Sequence, residues 1–261
     1  MIYLKTDEEI ELMRAANLLV GRTLAEVAKL IAPGVTTRQL DKRAEEFIRD
    51  NGATPAFLGY HGFPGSLCTS VNDHVVHGIP SDKVVLRDGD IVSVDCGTKL
   101  AGYTGDSAYT FAVGEVAEDV LSLLRTTKES LYIGIEQAVS GRRVGDIGVA
   151  VQQYCEQRGF HVVRDLVGHG IGQNMHEAPE VPNYGKRGTG VELRKGMCIC
   201  IEPMINMGSK NVVFDRDGWT VRTKTGRPSA HFEHCVAIRE GKADILSSFE
   251  FVSEALGARE F

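Results

Sequence analysis

Two rhythms of apolar and polar residues run along this chain, and each occurs twice. Thr6 followed by Glu9 has the form of a capping box, in which each residue's side chain bonds the other's backbone N–H. Leu12, Ala16, Leu19, Thr23, Val27 and Leu30 then recur at helical spacing and predict an amphipathic helix over 7–31, stopped by Pro33-Gly34. Thr36 with Gln39 repeats the capping box. It opens a second helix bearing Leu40, Ala44 and Phe47, closed by Asn51-Gly52. Residues 53–80 are rich in Gly, Pro and aromatic side chains and read as strands and loops. Ile91-Val-Ser-Val-Asp95 predicts a short strand ending in a carboxylate. Gly97, Gly102 and Gly105 follow, and Ala108–Val113 predicts another strand, so a hairpin or meander is expected. Helical spacing returns near 118–139 and 145–158. Strand-like runs follow around 161–167, 197–202 and 231–239.

The order helix, helix, strands therefore appears twice, which suggests an internal repeat. A constant shift of 107 residues, the separation of Gly34 from Gly141, puts Leu40 on Ile147, Phe47 on Tyr154 and Gly52 on Gly159. It also puts Leu86-Arg87 on Leu193-Arg194, Gly89 on Gly196 and Asp95 on Glu202. Common helix-cap and strand grammar is the plain alternative. If the repeat is real, Asp95 and Glu202 are equivalent strand residues, and a pseudo-two-fold axis brings two carboxylates together.

Composition narrows the class. The chain has 261 residues, enough for one large domain or two small ones with a sizeable core. A formal net charge of −6 gives no basic footprint for nucleic acid, and pairs such as Lys186-Arg187 and Arg194-Lys195 read as solvated surface. No basic stretch precedes an apolar run at the N-terminus, and no run of about 18 apolar residues occurs. A cytoplasmic protein is expected. Cys68, Cys96, Cys155, Cys198, Cys200 and Cys235 form no C-x-x-C pair and are expected to be buried, reduced thiols.

The candidate chemistry lies in carboxylates on apolar strands: Asp95, Glu202 after Met-Cys-Ile-Cys-Ile, Glu233 in His-Phe-Glu-His-Cys-Val, and Asp106 in Gly-Asp-Ser-Ala-Tyr. A buried carboxylate is costly unless it is paired or bound to a metal. One alone would suit an ordinary ion pair. Four are harder to explain that way, because no matching set of Arg or Lys lies in the same strands. His169 sits in Gly168-His-Gly-Ile-Gly172, where glycines let the backbone approach a ligand closely; His77 precedes Gly78-Ile-Pro80, and His176 opens His-Glu-Ala-Pro. A lone buried histidine is more often simply hydrogen-bonded. One imidazole with four carboxylates is a hard-ligand set, suited to two divalent cations such as Mn, Fe, Co or Zn. No G-x-S-x-G elbow, H-E-x-x-H helix or Walker loop competes; His176-Glu177 is followed by Ala-Pro-Glu.

These strings can be placed. Val76-His77-Gly-Ile-Pro80, Val94-Asp95, Gly105-Asp106, Gly168-His169-Gly-Ile-Gly172, Ile201-Glu202-Pro203-Met204, Asp217-Gly-Trp219-Thr and Glu233-His234 resemble the type I methionine aminopeptidases, in order and across essentially the whole chain. The interval of eleven residues between Asp95 and Asp106 fits as well. The resemblance implies an α/β (α+β) "pita-bread" fold, with two pseudo-symmetric helix-helix-strand halves, roughly 7–113 and 114–240, around a central, mainly antiparallel sheet. It implies one catalytic domain over 1–261 and a dinuclear metal-dependent hydrolase that removes the initiator methionine before a small second residue.

By the same resemblance Asp106 and Glu233 bridge both metals, Asp95 completes one site, and His169 with Glu202 completes the other. Glu202 is expected to be general base and then general acid. His176 is expected to meet the scissile carbonyl, and His77 the amide nitrogen. Phe57, Tyr60, Phe63, Cys68, Met175 and Trp219 are the candidates for the methionine pocket, with ordinary core as their plain alternative. Asn72 and Ser229 resemble a monovalent-cation site. The expected partners are nascent chains beginning with Met. Neither a membrane nor a specific nucleic acid is expected, and the chain should be a monomer. A transient ribosome contact is compatible with the reading, although no charge pattern marks it. The nearest rival is a proline-specific peptidase of the same fold, which usually carries a further N-terminal domain. A non-catalytic pita-bread protein is the other rival, and such relatives lose metal ligands.

Overall fold

A computed structural model describes all 261 residues. Both capping boxes form. Thr6 accepts from the Glu9 N–H at 3.2 Å while Glu9 accepts from the Thr6 N–H at 2.8 Å, opening α1 (Asp7–Ala28). Thr36 and Gln39 do the same for α2 (Thr37–Asp50). Each cap stabilises its helix by about 1 kcal/mol. The helix expected over 7–31 ends at Ala28, and its buried stripe is wider than the six residues that defined it. Ile10, Met13, Asn17, Val20 and Leu24 are buried, whereas Leu12 and Leu30 are exposed. The reason is two-sided packing: α1 lies on the central hairpin and also against the C-terminal helix, where a Cβ on Gly21 would come within 2.6 Å of the Ser248 carbonyl.

The first half continues through β1 (Thr54–Pro55), β2 (Leu67–Val71) and β3 (His74–Val76) to a long hairpin, β4 (Ile91–Leu100) and β5 (Tyr103–Ala112). β1 and β2 share one edge of β4, and β5 takes the other, all antiparallel. The hairpin is longer than the sequence suggested. Asp95 does not end its strand but lies mid-strand opposite Ala108, and Asp106 pairs with Gly97. The two carboxylates are therefore diagonal neighbours on one face.

The second half has α3 (Glu118–Ile135), α4 (Val144–Glu156), β6 (His161–Val162), β7 (Gly168–Gly170), β8 (Glu177–Val181) and β9 (Cys198–Ile201). It continues with β10 (Met204–Asn206), β11 (Val212–Phe214), β12 (Val221–Thr223), β13 (Ser229–His231), β14 (His234–Ala237), β15 (Asp244–Ile245) and α5 (Glu250–Leu256). The strand expected over 161–167 is only two residues long, because Arg164 and Asp165 turn the chain into a loop. The run expected over 231–239 is divided between β13 and β14, with Phe232 and Glu233 in the gap. β15, β14, β9, β7 and β8 form one antiparallel sheet in that order; β13, β10 and β6 form a second, and β11, β12 and β3 a third.

The 107-residue shift is written into the backbone. Gly34 and Gly141 are both left-handed (φ 94° and 88°), and their N–H groups donate to Leu86 and Leu193 at 2.8 and 2.9 Å. Isolated bridges pair Thr36 with Val85 and Arg143 with Glu192, again equivalent positions. α2 starts at Thr37 and α4 at Val144; β4 starts at Ile91 and β9 at Cys198. The fold is thus the pita-bread α/β class, two related halves joined around antiparallel sheet. A main core of 45 buried residues spans both halves, and a second cluster of 13, including Phe57, Phe63, Cys68, Met175 and Cys200, lies beside the converging carboxylates.

Candidate metal centre

Asp95, Asp106, His169, Glu202 and Glu233 line one cavity of about 270 Å³. Each is fixed by its own element. The backbone N–H of Asp106 donates to Asn17 Oδ1 of α1 at 3.1 Å. Glu233 is tied to β5 twice: its N–H donates to the Ala108 carbonyl at 3.0 Å, and Ser107 Oγ donates to its carbonyl at 2.6 Å. Glu202 lies just beyond β9, and its carbonyl accepts from Nδ2 of the buried Asn183 at 2.9 Å. His169 lies in β7 between β8 and β9, where a Cβ on Gly168 would come within 2.3 Å of the Cys200 carbonyl. Only glycine lets the three strands close around the imidazole.

The donor set fits divalent cations. Asp106 and Glu233 are almost wholly buried, and Oδ1 of Asp95, Oδ1 of Asp106 and Oε1 of Glu233 have no hydrogen-bond partner. Ligand atoms of Asp106, His169, Glu233 and Cys200 all lie within 4.8 Å of one another. His169 Nδ1 faces the Gly170 carbonyl at 2.9 Å. That contact places the proton on Nδ1 and leaves the Nε2 lone pair pointing at Asp106 Oδ2 (3.7 Å) and Glu202 Oε1 (3.6 Å). No Lys or Arg pairs with these carboxylates.

Electrostatics make the same point. Burial pushes Asp95 up to about 7, with Glu202 nearby adding to the rise and His231 opposing it. Burial alone pushes Glu202 up to about 8. Asp106 and Glu233 are raised by burial and by the other carboxylates. His169 and His77 are pushed down to about 4, chiefly by burial. Such a cluster holds protons near neutral pH unless a cation displaces them.

Around this floor stand His77 and His176. His77 carries a left-handed backbone (φ 58°), which costs a non-glycine residue about 1–3 kcal/mol and is typical of functional positions. His176 Nδ1 lies 2.8 Å from the Tyr60 hydroxyl, and its ring sits 4.3 Å from that of His169. Phe57, Tyr60, Phe63, Cys68 and Trp219 form an apolar wall, with Phe63 and Trp219 edge-to-face at 5.1 Å. Met175 does not line the cavity. It packs one layer behind, where it and Phe57 both crowd the position a Gly97 Cβ would take, at 2.7 Å each.

Several lining residues escaped the sequence reading. Val76, Met204, Leu166 and Val167 complete the wall, and His61 stands at its rim. Cys200 and His231 each lie two residues before a site carboxylate. The period of two in a strand was the available signal for Cys200; for His231 the strand break before Glu233 removes it. Leu166 and Val167 come from a loop, and no local pattern marks them. Asn72 and Ser229 are adjacent, with the Ser229 N–H donating to the Asn72 carbonyl at 2.9 Å. Their side chains are engaged by Asp90, Ile91, Ile205 and Asn206.

Residues 11–240 match the model of metallopeptidase family M24. The chain belongs to that family. Within metallopeptidase family M24 it is 52% identical to a methionine aminopeptidase of Clostridium acetobutylicum over 96% of this chain and 100% of that protein. It is 50% identical to methionine aminopeptidase 1 of Bacillus subtilis over 95% of this chain and 99% of that one. The crystal structure of the methionine aminopeptidase from Thermotoga maritima superposes with a TM-score of 0.93 at 46% identity, covering 95% of this chain and all of the other. The type I methionine aminopeptidase resemblance thus holds over nearly the full length, in sequence and in fold. As a member of M24, the chain is a metal-dependent hydrolase. No helix is long and apolar enough to cross a membrane.

Proposed function

We propose that this chain removes the initiator methionine from nascent proteins and peptides, preferring a small second residue. The observation that carries the reading is the junction of unpaired buried carboxylates with an apolar-walled cavity of about 270 Å³. The named relatives, alike over nearly their whole length, support it. Two divalent cations (Co, Mn, Fe or Zn) would suit the donor set: Asp95, Asp106 and Glu233 would hold one, and Asp106, Glu233, His169 and Glu202 the other. When bound, they supply acidification of a water and polarisation of the scissile carbonyl.

The chain's own residues do the rest. Glu202, held near neutral pH by burial, takes a proton from the attacking water and passes it to the leaving amine. His176, steadied by Tyr60, faces the carbonyl oxygen as charge develops there, and His77 faces the scissile nitrogen. Phe57, Tyr60, Phe63, Cys68 and Trp219 exclude water around the methionine side chain, with Met175 supporting Phe57. The free α-amine lies beside Asp95, which explains exopeptidase action, since an internal peptide bond has no such amine.

The same reading makes 1–261 a single catalytic domain with halves near 7–113 and 114–240, monomeric and cytoplasmic. A monovalent cation at Asn72 and Ser229 would be held by main-chain carbonyls, because both side chains are engaged. Transient ribosome contact fits a nascent-chain substrate, although the net charge of −6 offers no general attraction to RNA. The test is a tripeptide assay on metal-stripped protein with each cation added back. Met-Ala-Ser is expected to be cleaved only after add-back, and Met-Ile-Ser not at all. Equal rates on the two peptides, or activity that survives stripping, would overturn the proposal.

A further inference from the structure

His231 is the third histidine beside the carboxylates, and the mechanism above does not use it. It is 1% exposed, and its Nε2 has no hydrogen-bond partner. A buried polar atom left unpaired costs about 1–3 kcal/mol, so a fold that keeps one there needs a reason. The nearest charged atom is Glu202 Oε2, at 3.7 Å. The other oxygen of the same carboxylate, Oε1, lies 3.6 Å from His169 Nε2. Glu202 therefore stands between two imidazoles, one for each oxygen.

The placement of His231 is built. Thr110 Oγ1 accepts from its N–H at 2.9 Å and donates to its carbonyl at 2.7 Å. Because Thr110 has one hydroxyl proton, Ser93 Oγ, 2.8 Å away, must be the donor in their contact. Thr110 of β5, itself held by Ser93 of β4, thus clamps the His231 backbone at both polar groups, and β13 then ends. Across the ladder His231 pairs with Met204, two residues past Glu202.

We propose that His231 is a positioning residue for the proton-transfer step: its Nε2–H holds Oε2 of Glu202, leaving Oε1 to the side shared with His169. On the proposed reading Oε1, beside His169, would hold the metal, and Oε2 would be left to take and pass on the proton. A donor fixed beside it selects one carboxylate orientation and keeps the second lone pair of Oε2 aimed at the water. This rests on Glu202 being the base of the proposed reaction.

The test has a kinetic and a spectroscopic arm. His231→Leu is expected to lower kcat on Met-Ala-Ser about 30-fold, leaving KM and zinc affinity by calorimetry within about threefold of the unsubstituted chain. His231→Gln, whose amide N–H can reach the place of Nε2–H, is expected to recover kcat to within about fivefold. The inference is overturned if His231→Leu keeps kcat within about twofold, if His231→Gln is as impaired as the Leu variant, or if zinc affinity falls more than about tenfold, which would make His231 a ligand. The second arm needs neither turnover nor a substitution at His231. In the zinc-loaded protein with ¹⁵N-labelled histidine, the His231 Nε2 proton should be observed, protected from exchange, and should shift on Glu202→Gln. Absence of a proton on Nε2, or a signal indifferent to Glu202→Gln, overturns the inference. If the unsubstituted chain fails to cleave Met-Ala-Ser while this signal behaves as described, the proposed function fails and the His231–Glu202 contact stands.

Discussion

Asp95 and Glu202 occupy equivalent positions, 107 residues apart, in two strands that begin in register at Ile91 and Cys198. Their surroundings then diverge. β4 runs on through Asp95 to Leu100, with Ala108 across the ladder from the carboxylate. β9 stops at Ile201, one residue short of Glu202, and the next residue is Pro203, where β4 has Cys96. Proline has no N–H to give a ladder and so ends it. One carboxylate is set in a rigid sheet, and the other stands at the free end of a strand, steadied from outside by Asn183 and faced by His169 and His231. The same contrast separates Asp106, deep in β5, from Glu233, which lies in the gap between β13 and β14. A duplicated frame thus holds one carboxylate within a strand and its equivalent just beyond a strand end.

The hardest test of this contrast is Asp106→Asn. Asp106 is almost wholly buried and held within β5, and under the proposed reading it serves both metal sites. The expected result is loss of activity by about 10⁴-fold and loss of tight metal binding by calorimetry, with an unchanged circular dichroism spectrum. Pro203→Ala probes the other side. Restoring an N–H after Glu202 lets the ladder extend as it does in β4, so kcat should fall about tenfold, with thermal stability changed by no more than about 1 kcal/mol as the added ladder bond offsets the lost rigidity of proline. An unchanged kcat would mean that the strand end is incidental. Gly97→Ala tests whether the scaffold also shapes the substrate wall. Its Cβ would meet Met175 Cε and Phe57 Cε1 at 2.7 Å, both far ends of side chains, so KM for Met-Ala-Ser should rise about fivefold with little change in kcat.

The smallest expected effect is linked to pH. Asp95 near 7 and Glu202 near 8, with Asp106 and Glu233 also raised, bind protons that the unfolded chain has already released above its ordinary carboxylate range. Their contribution to stability is therefore full below about pH 4 and is lost as pH rises through about 8. A cation displaces those protons and neutralises the charge. The melting-temperature gain on adding manganese should then grow by about 5 °C between pH 5.5 and 8. A gain independent of pH would show that the carboxylates are not what the metal discharges.

Much of this was legible in the sequence because it follows local rules. The capping boxes at Thr6 and Thr36, the turn glycines at 34, 52, 89, 141, 159 and 196, and carboxylates on apolar strands each have a short-range cause. What escaped depends on tertiary context. Leu12 lies on the helical stripe yet faces solvent, because the face that α1 buries is set by the hairpin and α5, which no local window contains. Met175 fits a pocket list but sits behind Phe57. His231 and His234 flank Glu233 almost symmetrically in sequence, yet the strand break turns His231 toward Glu202 and His234 onto the Phe249 ring, 3.9 Å away.

The turn of the central hairpin is a ruler. Leu100 pairs with Tyr103 across the two-residue loop Ala101-Gly102, whose positive φ angles (50° and 85°) close a tight reversal. Side chains alternate faces, so the offset between Asp95 and Asp106 is counted from that tip, about 17 Å from Asp95 at ~3.4 Å per residue. A single residue inserted within β5 between Tyr103 and Asp106 would, with pairing kept from that tip, turn Asp106 to the face opposite Asp95. The loop itself is restricted in composition, because both of its residues are left-handed.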